Sequence, residues 1–172
     1  NKFNYDHIKK LDKNVSIIYR NYHSLNDINL IVKIRDFCKK NSRKFFLANN
    51  VKLALKLDLD GAYLPSFNKD LKHLNYIYKK KFLIMGSAHN IKEIRLKEKQ
   101  KVKLIFLSSL FKKNKNYLGL YKFNVLSSIT RKKIIALGGI NLNNIKKLKM
   151  LNLSGYAAIG FFEKTKKRPL KF

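Results

Sequence analysis

Seven short and almost continuous apolar runs constrain the fold of this chain more than any other feature of its sequence. Strands buried on both faces of a parallel sheet are apolar throughout, whereas half-exposed strands alternate between apolar and polar residues. The runs therefore predict seven buried parallel strands. They are Val15–Tyr19, Lys44–Ala48, Gly61–Leu64, Phe82–Gly86, Leu104–Ser108, Ile134–Leu137 and Tyr156–Phe161.

Segments of helical length separate most of the runs and carry apolar residues at the three- and four-residue spacing of an amphipathic helix. The first of them has Ser24 as its candidate N-cap. The regular alternation of strand and helix predicts a single α/β domain over residues 1–172. The predicted apolar helix faces are Ile28, Leu30, Ile31, Ile34 and Cys38; Leu53, Leu55 and Leu57; Leu71, Leu74 and Ile77; Ile91, Ile94 and Leu96; and Ile145, Leu148 and Leu151.

The (β/α)8 or TIM barrel fits this alternation, but it needs eight parallel strands and the sequence shows seven. We expect the first strand to be missing or incomplete in this chain, and residues 5–11 to form the helix that follows it. The length of 172 residues agrees, because this fold usually takes roughly 200 to 250 residues.

The chain is strongly basic, with a formal net charge of +29. Such a charge ordinarily indicates nucleic acid or an anionic membrane as the partner. Specific recognition of bases and phosphates favours arginine, yet the chain has 33 lysines and six arginines, and the lysines are spread over its whole length beside 19 asparagines. The composition favours a general bias in residue usage and no specific nucleic-acid partner; whether the charge also has a function is left open.

Further features exclude other classes of protein. Cys38 is the single cysteine, so the chain has no internal disulfide, and its place on an apolar helix face predicts a core residue. No apolar stretch reaches the roughly 18 residues that span a bilayer, and the N-terminus does not resemble a secretory signal. We expect a soluble, cytoplasmic protein without a membrane partner, and a homo-oligomer is left open. We expect His7, His23 and His73 to be solvated.

Glycines follow the last two predicted strands in a pattern that suits an anion. Gly138 and Gly139 come directly after one strand, and Gly160 lies near the end of the next run. Glycine lets backbone N–H groups approach a phosphate closely, and a following helix N-terminus adds a favourable dipole. The loops after the last two strands of TIM barrels often form such a site. We therefore predict phosphate binding by Gly138, Gly139, Ile159 and Gly160.

The remaining chemistry should lie at the carboxyl ends of the strands, where barrel enzymes place their active sites. Residues at these positions form a polar ring with one arginine, one histidine and almost no carboxylate. In chain order they are Arg20, Asn49 and Asn50, Tyr63–Asn68, Ser87–His89, Ser108–Ser109, Gly138–Gly139 and Gly160.

Five sequence motifs run through nearly the whole chain in a fixed order. They are Tyr19–Arg20; Leu53–Leu55 with Asp60–Leu64; Ser87–Asn90; Phe106–Phe111 with Leu118–Gly119 and Phe123; and Ala136–Ile140. In this order they resemble the strand-end arginine, LAL…DGvHL, S-[TA]-H, SPvF…LG…F and A-[IL]-GGI motifs of the thiamine phosphate synthase and thiazole tautomerase superfamily. The chain is identified as a member of that superfamily, and we expect it to be an enzyme.

The synthase activity implied by this resemblance joins a pyrimidine diphosphate to a thiazole phosphate and uses Mg²⁺ to neutralise the departing diphosphate. The family holds that ion with an Asn-Asp pair after its third strand and an aspartate after its fourth, and these positions fall on Ala48–Asn49 and Asn68. Amides are uncharged and are poorer Mg²⁺ ligands than carboxylates. The Thr-rich loop of the synthase is replaced by residues 112–116, and the glutamine and lysine that flank the family arginine by Ile18 and Tyr22. These departures argue against a metal site, and we expect no cofactor unless the chain is a synthase.

The tautomerase activity implied by the resemblance needs a phosphate anchor and a general acid-base group but no metal. His89 occupies the matching position. A histidine can accept and donate a proton near neutral pH, so it suits the role of the acid-base group. Arg20, Asn49, Ser87 and Ser108 are the predicted substrate-binding residues, with Arg20 able to hold a carboxylate in a bidentate contact. The alternatives are that His89 only caps or packs at a helix start, and that Arg20 forms a salt bridge with Asp58 or Asp60.

The sequence therefore favours a metal-independent, thiazole tautomerase-like enzyme that binds a thiazole phosphate. Thiamine phosphate synthase is the alternative activity. A non-catalytic barrel that binds a phosphorylated thiamine precursor is the third hypothesis.

Overall fold

The computed structural model describes residues 4–22, 27–158 and 160–164, and within them seven strands form one parallel sheet. Each strand pairs with its neighbours in the chain, and in the described residues the sheet begins at β1 and ends at β7 without a pairing between these two edges. The predicted TIM-barrel-like arrangement with seven visible parallel strands is confirmed. The strands are β1 (Ile17–Tyr19), β2 (Phe45–Ala48), β3 (Gly61–Leu64), β4 (Leu83–Ala88), β5 (Leu104–Leu107), β6 (Lys133–Leu137) and β7 (Gly155–Ala157).

Helices connect most of these strands and begin at short polar caps. Asp27, Asn50 and Asn90 each accept a hydrogen bond from the backbone N–H three residues further on, at 2.9–3.0 Å. Asp27 is therefore the N-cap of the second helix, and the predicted cap Ser24 lies outside the described residues. The helices are α1 (Tyr5–Lys10), α2 (Ile28–Lys40), α3 (Val51–Lys56), α4 (Ile91–Lys99), α5 (Gly119–Ser128) and α6 (Gly160–Lys164), and α1 confirms the helix predicted for residues 5–11.

Two predicted α-helices are short 3-10 segments instead. The segment predicted around Leu74 is 3-10 over Lys72–Asn75, and Ile77 beyond it is 96% exposed. The segment predicted around Leu148 is 3-10 over Ile145–Met150. Neither has a side-chain cap. Apolar spacing alone does not distinguish a full α-helix from one tighter turn that buries one or two side chains.

The last strand is shorter than its apolar run predicts. β7 ends at Ala157, and α6 begins at Gly160, so Phe161 and Phe162 belong to a helix. Tyr156 stacks on Phe162 with ring centroids 5.9 Å apart, which shows why the run is apolar on both sides of the strand end. A continuous apolar run cannot by itself separate strand from helix.

The strand side chains alternate between two apolar layers. Phe45 and Leu47 face the helices, whereas Phe46 and Ala48 face the inside of the curled sheet. The inner face borders a cavity of about 660 Å³. Each strand contributes to its lining, with Ile18, Phe46, Tyr63, Met85, Phe106, Ile135 and Ala157.

Three single-residue predictions can be compared with this fold. Cys38 is buried at 1% exposure, as predicted. His73 is buried at 4% exposure and its Nε2 contacts the Gln100 carbonyl at 2.9 Å, so the prediction that it is solvated is wrong. His7 is also not simply solvated, because its ring contacts the Phe162 carbonyl, and His23 lies outside the described residues. In the described residues no helix is long and apolar enough to cross a membrane.

Replacing Gly61 by alanine should destabilise the fold. A Cβ at Gly61 would overlap the Leu83 carbonyl of the neighbouring strand β4. Forcing extra volume into a packed region typically costs about 1–3 kcal/mol of unfolding free energy. Chemical denaturation of Gly61→Ala should show this loss, whereas Gly160→Ala, which meets no atom within 4 Å, should denature like the parent chain.

Candidate functional site

The predicted site residues gather at the carboxyl edge of the sheet because all seven strands run in the same direction. The register aligns Leu47 with Ala62, Ala88 with Leu107, and Leu107 with Ala136, so the segments that follow β2, β4, β5 and β6 leave from one rim. This rim carries Arg20, Asn49, His89, Gly138 and Gly139.

The glycine pair after β6 has the properties of an anion cradle. Gly138 and Gly139 have φ angles of 104° and 77°, which L side chains rarely adopt. A Cβ would lie 2.5 Å from Ser109 Oγ at Gly138 and 2.5 Å from the Lys112 nitrogen at Gly139, so both glycines are also needed for close packing. In the described residues their carbonyls accept hydrogen bonds while their N–H groups have no acceptor. These donors are available to an anion.

Gly160 lies at the start of α6 in open surroundings. It is exposed, and an added Cβ would meet nothing within 4 Å. The described residues therefore leave room for a side chain at this position. Ile159, predicted with it as a phosphate ligand, lies outside the described residues.

His89 is held by a partner that the sequence analysis did not identify. Glu93, in the first turn of α4, places Oε2 2.8 Å from His89 Nδ1 and also accepts the His89 backbone N–H at 2.7 Å. The imidazole is about one fifth exposed. A carboxylate on Nδ1 fixes the orientation of the ring and favours Nε2 as the atom that exchanges protons with a ligand.

Arg20 follows β1 and makes no ion pair with another described residue. The predicted alternative, a salt bridge to Asp58 or Asp60, is wrong. Asp58 pairs with Lys39 and Lys79, and the side chain of Asp60 accepts the Phe45 N–H at 2.8 Å. The exposed guanidinium borders the cavity and is free to contact an anion.

Tyrosines accompany Arg20 at the mouth of the cavity. Burial raises the pKa of Tyr22, and Tyr63 acts in the same direction, whereas the Arg20 guanidinium lowers it. Tyr22 packs edge-on against Phe67 with centroids 5.3 Å apart, and Tyr63 packs in the same way on Phe106. The Arg20 guanidinium therefore lies beside aromatic side chains.

The two predicted serine ligands are largely enclosed. Ser87 in β4 is 5% exposed and Ser108 after β5 is 7% exposed. The Ser108 N–H donates to the Ala88 carbonyl at 3.1 Å. Neither serine forms a hydrogen bond with His89. The role of the two serines in substrate binding stays a prediction.

Asn49 and Asn68, at the two positions where the family resemblance implies aspartates, form a hydrogen bond with each other at the rim. Asn68 Nδ2 donates to Asn49 Oδ1 at 2.7 Å. Asn68 Oδ1 in turn accepts from Gln100 Nε2 and from the Asp70 N–H, each at 3.0 Å. Both side-chain oxygens of the pair therefore already accept hydrogen bonds from the protein.

A buried lysine lies behind this pair. Lys97 of α4 is fully buried, and its Nζ donates to the Pro65 and Asn68 carbonyls and to Gln100 Oε1 at 2.8–3.0 Å. Burial lowers the pKa of this ammonium to about 8, while Glu93 opposes the change. Gly86 makes room for the side chain, because a Cβ there would lie 2.7 Å from Lys97 Cδ.

The family profile described as thiamine monophosphate synthase matches residues 11–161. The chain belongs to that family. The predicted membership of the thiamine phosphate synthase superfamily is confirmed.

Curated relatives agree with this assignment. The chain is 34% identical over 157 residues to the thiamine-phosphate synthase of Pelagibacter ubique, covering 86% of this chain and 74% of that protein. It is 25% identical over 132 residues to the thiamine-phosphate synthase of Fusobacterium nucleatum and 27% identical over 131 residues to that of Methanococcus vannielii. These alignments cover 74% of this chain, and the chain spans 64% and 63% of those two relatives.

A solved structure shares the fold. The thiamine phosphate pyrophosphorylase of Pyrococcus furiosus superposes with a TM-score of 0.72 over 91% of this chain and 77% of its own, at 19% identity. At this identity the likeness supports the TIM-like architecture alone.

The rim amides do not fit the Mg²⁺ that the family resemblance implies. Magnesium binds through oxygen atoms, usually carboxylates. Asn49 Oδ1 already accepts a hydrogen bond from Asn68, and Asn68 Oδ1 accepts from Gln100 and from the Asp70 N–H. The described part of the chain contains no cluster of three or more His, Cys, Asp or Glu side chains able to hold a metal ion. Two uncharged amides that already accept hydrogen bonds from the protein are a poor fit to this ion.

Glu93 and Lys97 are the site residues that sequence reasoning missed. Asn90 with Glu93 has the spacing of a helix capping box, which predicts a bond to the backbone near residue 89 but not a bond to the imidazole. Lys97 follows the buried Ile94 by three residues, so it lies on the buried face of α4. The chain has 33 lysines, and the sequence pattern does not distinguish this buried one from the others.

Replacing Lys97 by methionine should change how stability depends on pH. The folded pKa of about 8 lies below the ordinary value of 10.5, so between these values the unfolded chain keeps a proton that the folded chain has lost. The unfolding free energy of the parent chain should therefore rise relative to Lys97→Met as pH rises from 8 to 10, by at most about 1.4 kcal/mol per pH unit.

Denaturation curves recorded at several pH values would measure this difference. Lys99→Met, on the exposed side of the same helix, is the matched control and should differ from the parent by a pH-independent amount over pH 8 to 9. Parallel curves for the parent and Lys97→Met would contradict the lowered pKa.

Proposed function

We propose that this chain binds a thiazole phosphate at the carboxyl ends of its strands and couples it with a pyrimidine diphosphate, releasing diphosphate. The observation that carries the proposal is the family match over residues 11–161 together with the N–H groups of Gly138 and Gly139, which have no acceptor in the described residues. The sequence alone favoured proton transfer over coupling. The curated relatives are named thiamine-phosphate synthase, and these names support coupling over proton transfer.

The cradle suits the phosphate group of the thiazole. Backbone N–H groups in the left-handed region form concave anion sites, and Gly139 packs directly against the backbone of Lys112. Lys112, Lys113 and Lys115 are exposed in the same loop and add positive charge beside the cradle. The loop is closed by the Ser109 Oγ contact to the Lys112 carbonyl at 2.9 Å and by the Leu118 N–H contact to the Ser109 carbonyl.

Arg20 suits the second anionic group. A guanidinium can bind two oxygens of a diphosphate or carboxylate at once, and this one has no ion-pair partner in the described residues. Its position at the cavity mouth, near Tyr22 and Tyr63, would place a flat aromatic ring against aromatic walls. No step of this proposal uses a metal bound by the rim amides.

Proton transfer on a thiazole carboxylate phosphate is the second candidate, and the His89–Glu93 contact favours it. A histidine whose Nδ1 is fixed at 2.8 Å from a carboxylate is oriented to exchange a proton through Nε2. In that reaction Nε2 takes a proton from one ring position and returns one to another. Arg20 would hold the substrate carboxylate.

Replacing Gly160 by alanine should weaken binding of thiazole phosphate without unfolding the chain. Gly160 has no protein atom within 4 Å of an added Cβ, so a loss must come from the space that the ligand needs. We expect affinity to fall about tenfold, equivalent to ~1.4 kcal/mol, by isothermal titration calorimetry. Unchanged affinity with an unchanged melting temperature would remove Gly160 from the phosphate site.

Activity assays separate the candidate reactions. Incubation with pyrimidine diphosphate and thiazole phosphate, with and without Mg²⁺, should yield thiamine phosphate, detected by chromatography. If no product forms but deuterium from solvent enters a thiazole carboxylate phosphate, and His89→Gln abolishes this exchange, proton transfer replaces coupling. Binding of thiazole phosphate without either reaction would indicate the non-catalytic barrel.

A further inference from the structure

The amide pair at the rim is the last part of a directed chain of side-chain hydrogen bonds. The chain runs from Lys97 Nζ to Gln100 Oε1 at 2.8 Å, from Gln100 Nε2 to Asn68 Oδ1 at 3.0 Å, and from Asn68 Nδ2 to Asn49 Oδ1 at 2.7 Å. Each group donates to the next. We call these four residues the amide relay.

Lys97 sets the direction of the amide relay because a protonated amine only donates. Gln100 must therefore turn its oxygen toward Lys97 and its NH₂ group toward Asn68. Backbone groups require the same orientation: Gln100 Nε2 also donates to the Asp70 carbonyl at 2.9 Å, and the Asp70 N–H donates to Asn68 Oδ1. Since Asn68 Oδ1 is fixed as an acceptor, Asn68 presents its NH₂ group to Asn49.

The last amide then presents a donor to solvent. Asn49 Oδ1 accepts from Asn68, so Asn49 Nδ2 is turned away from Asn68, and it has no acceptor in the described residues. Asn49 is exposed, and its backbone is fixed by a φ of 62° and by the contact of its N–H to the Tyr63 carbonyl at 2.8 Å. A fixed, exposed NH₂ group binds oxygen acceptors and repels cations.

We propose that Lys97 is a positioning residue that fixes Asn49 Nδ2 as a donor at the rim, so that this position binds an anionic oxygen, from a phosphate or a carboxylate, and not a metal ion. The orientation of the amides does not depend on the proposed function. The assignment of the anionic oxygen to the proposed substrate does rest on it.

Other charged groups near the amide relay are compatible with this direction. Glu93 acts on Lys97 from one turn earlier in α4 and is engaged by His89. His73, packed against the end of α4, contacts the Gln100 carbonyl, and the Asp70 side chain accepts the Lys72 N–H at 2.7 Å. None of these groups supplies a hydrogen bond to the Asn49 side chain.

Asn68→Asp tests the direction with little change in shape. The introduced carboxylate can still accept from Gln100 and from the Asp70 N–H, but it has no NH₂ group, so Asn49 must turn Nδ2 toward it and present Oδ1 outward. Asn50→Asp is the matched control. Asn50 accepts the Leu53 N–H as the N-cap of α3, which an aspartate also does, so this variant adds the same charge beside Asn49 and leaves the amide relay intact.

Side-chain amide signals in ¹⁵N NMR spectra would measure the outcome for the full chain. In the parent we expect slow solvent exchange for the Asn68 NH₂ protons and fast exchange for those of Asn49, with the Asn49 signal shifting as inorganic phosphate or acetate is added. Phosphate and acetate are titrated separately to distinguish the two oxygen sources. In Asn68→Asp the Asn49 protons should become protected and affinity should fall at least fivefold, whereas Asn50→Asp should lose less than twofold.

Lys97→Met with Lys99→Met as control tests the origin of the direction. Loss of the three Lys97 donors should speed hydrogen exchange at the Asp70 N–H at least tenfold relative to Lys99→Met. The proposal is overturned if phosphate and acetate both leave the Asn49 signal unmoved, if Asn68→Asp and Asn50→Asp weaken binding equally, or if Asp70 exchange is unchanged in Lys97→Met. Failure of thiamine phosphate synthesis alone would leave these readouts intact and would count only against the proposed function.

Discussion

Parallel pairing of the seven strands in chain order is the constraint on which the rest of the molecule depends. It sends every connection over the outside of the sheet and brings the carboxyl ends of all strands to one rim. Residues far apart in sequence, such as Arg20 after β1 and Gly138 after β6, therefore share an edge without any direct contact. The two apolar layers, Phe45 and Leu47 outside and Phe46 and Ala48 inside, keep that edge in place and leave the rim residues free for chemistry.

Lys97 shows how the core and the rim are coupled. Removing an ammonium from water is costly, and the pKa lowered to about 8 indicates that its surroundings do not fully offset that cost. The three acceptors it binds include two carbonyls of the loop after β3, so the same buried charge that costs stability also orders the loop that carries Asn68. In this chain the positive charge that binds the loop after β3 is the ammonium group of Lys97.

The sequence predicted the strands well because double-sided burial makes them continuously apolar, and Gly61–Leu64 was predicted with its observed bounds. It failed where one pattern fits two structures. Phe161 extended an apolar run but lies in helix α6, and Leu74 had helical spacing but lies in a 3-10 turn. The amides at positions 49 and 68 were recognised from family motifs. Their mutual contact, its direction, and the roles of Glu93 and Lys97 depend on side-chain geometry across α4 and the β3 loop, which no local pattern encodes.

Hydrogen-bond donors dominate the groups that the rim leaves available to a ligand. The N–H groups of Gly138 and Gly139, the Arg20 guanidinium and Asn49 Nδ2 all offer protons, while the Glu93 carboxylate is engaged by His89. Such a rim is suited to a ligand that brings its own negative charges at two points, because each charge meets donors that are already oriented. Tyr63 and Phe106 line the cavity with aromatic rings that can pack against a flat ring. The proposed binding of a ring phosphate rests on this arrangement of backbone and side-chain donors beside aromatic rings.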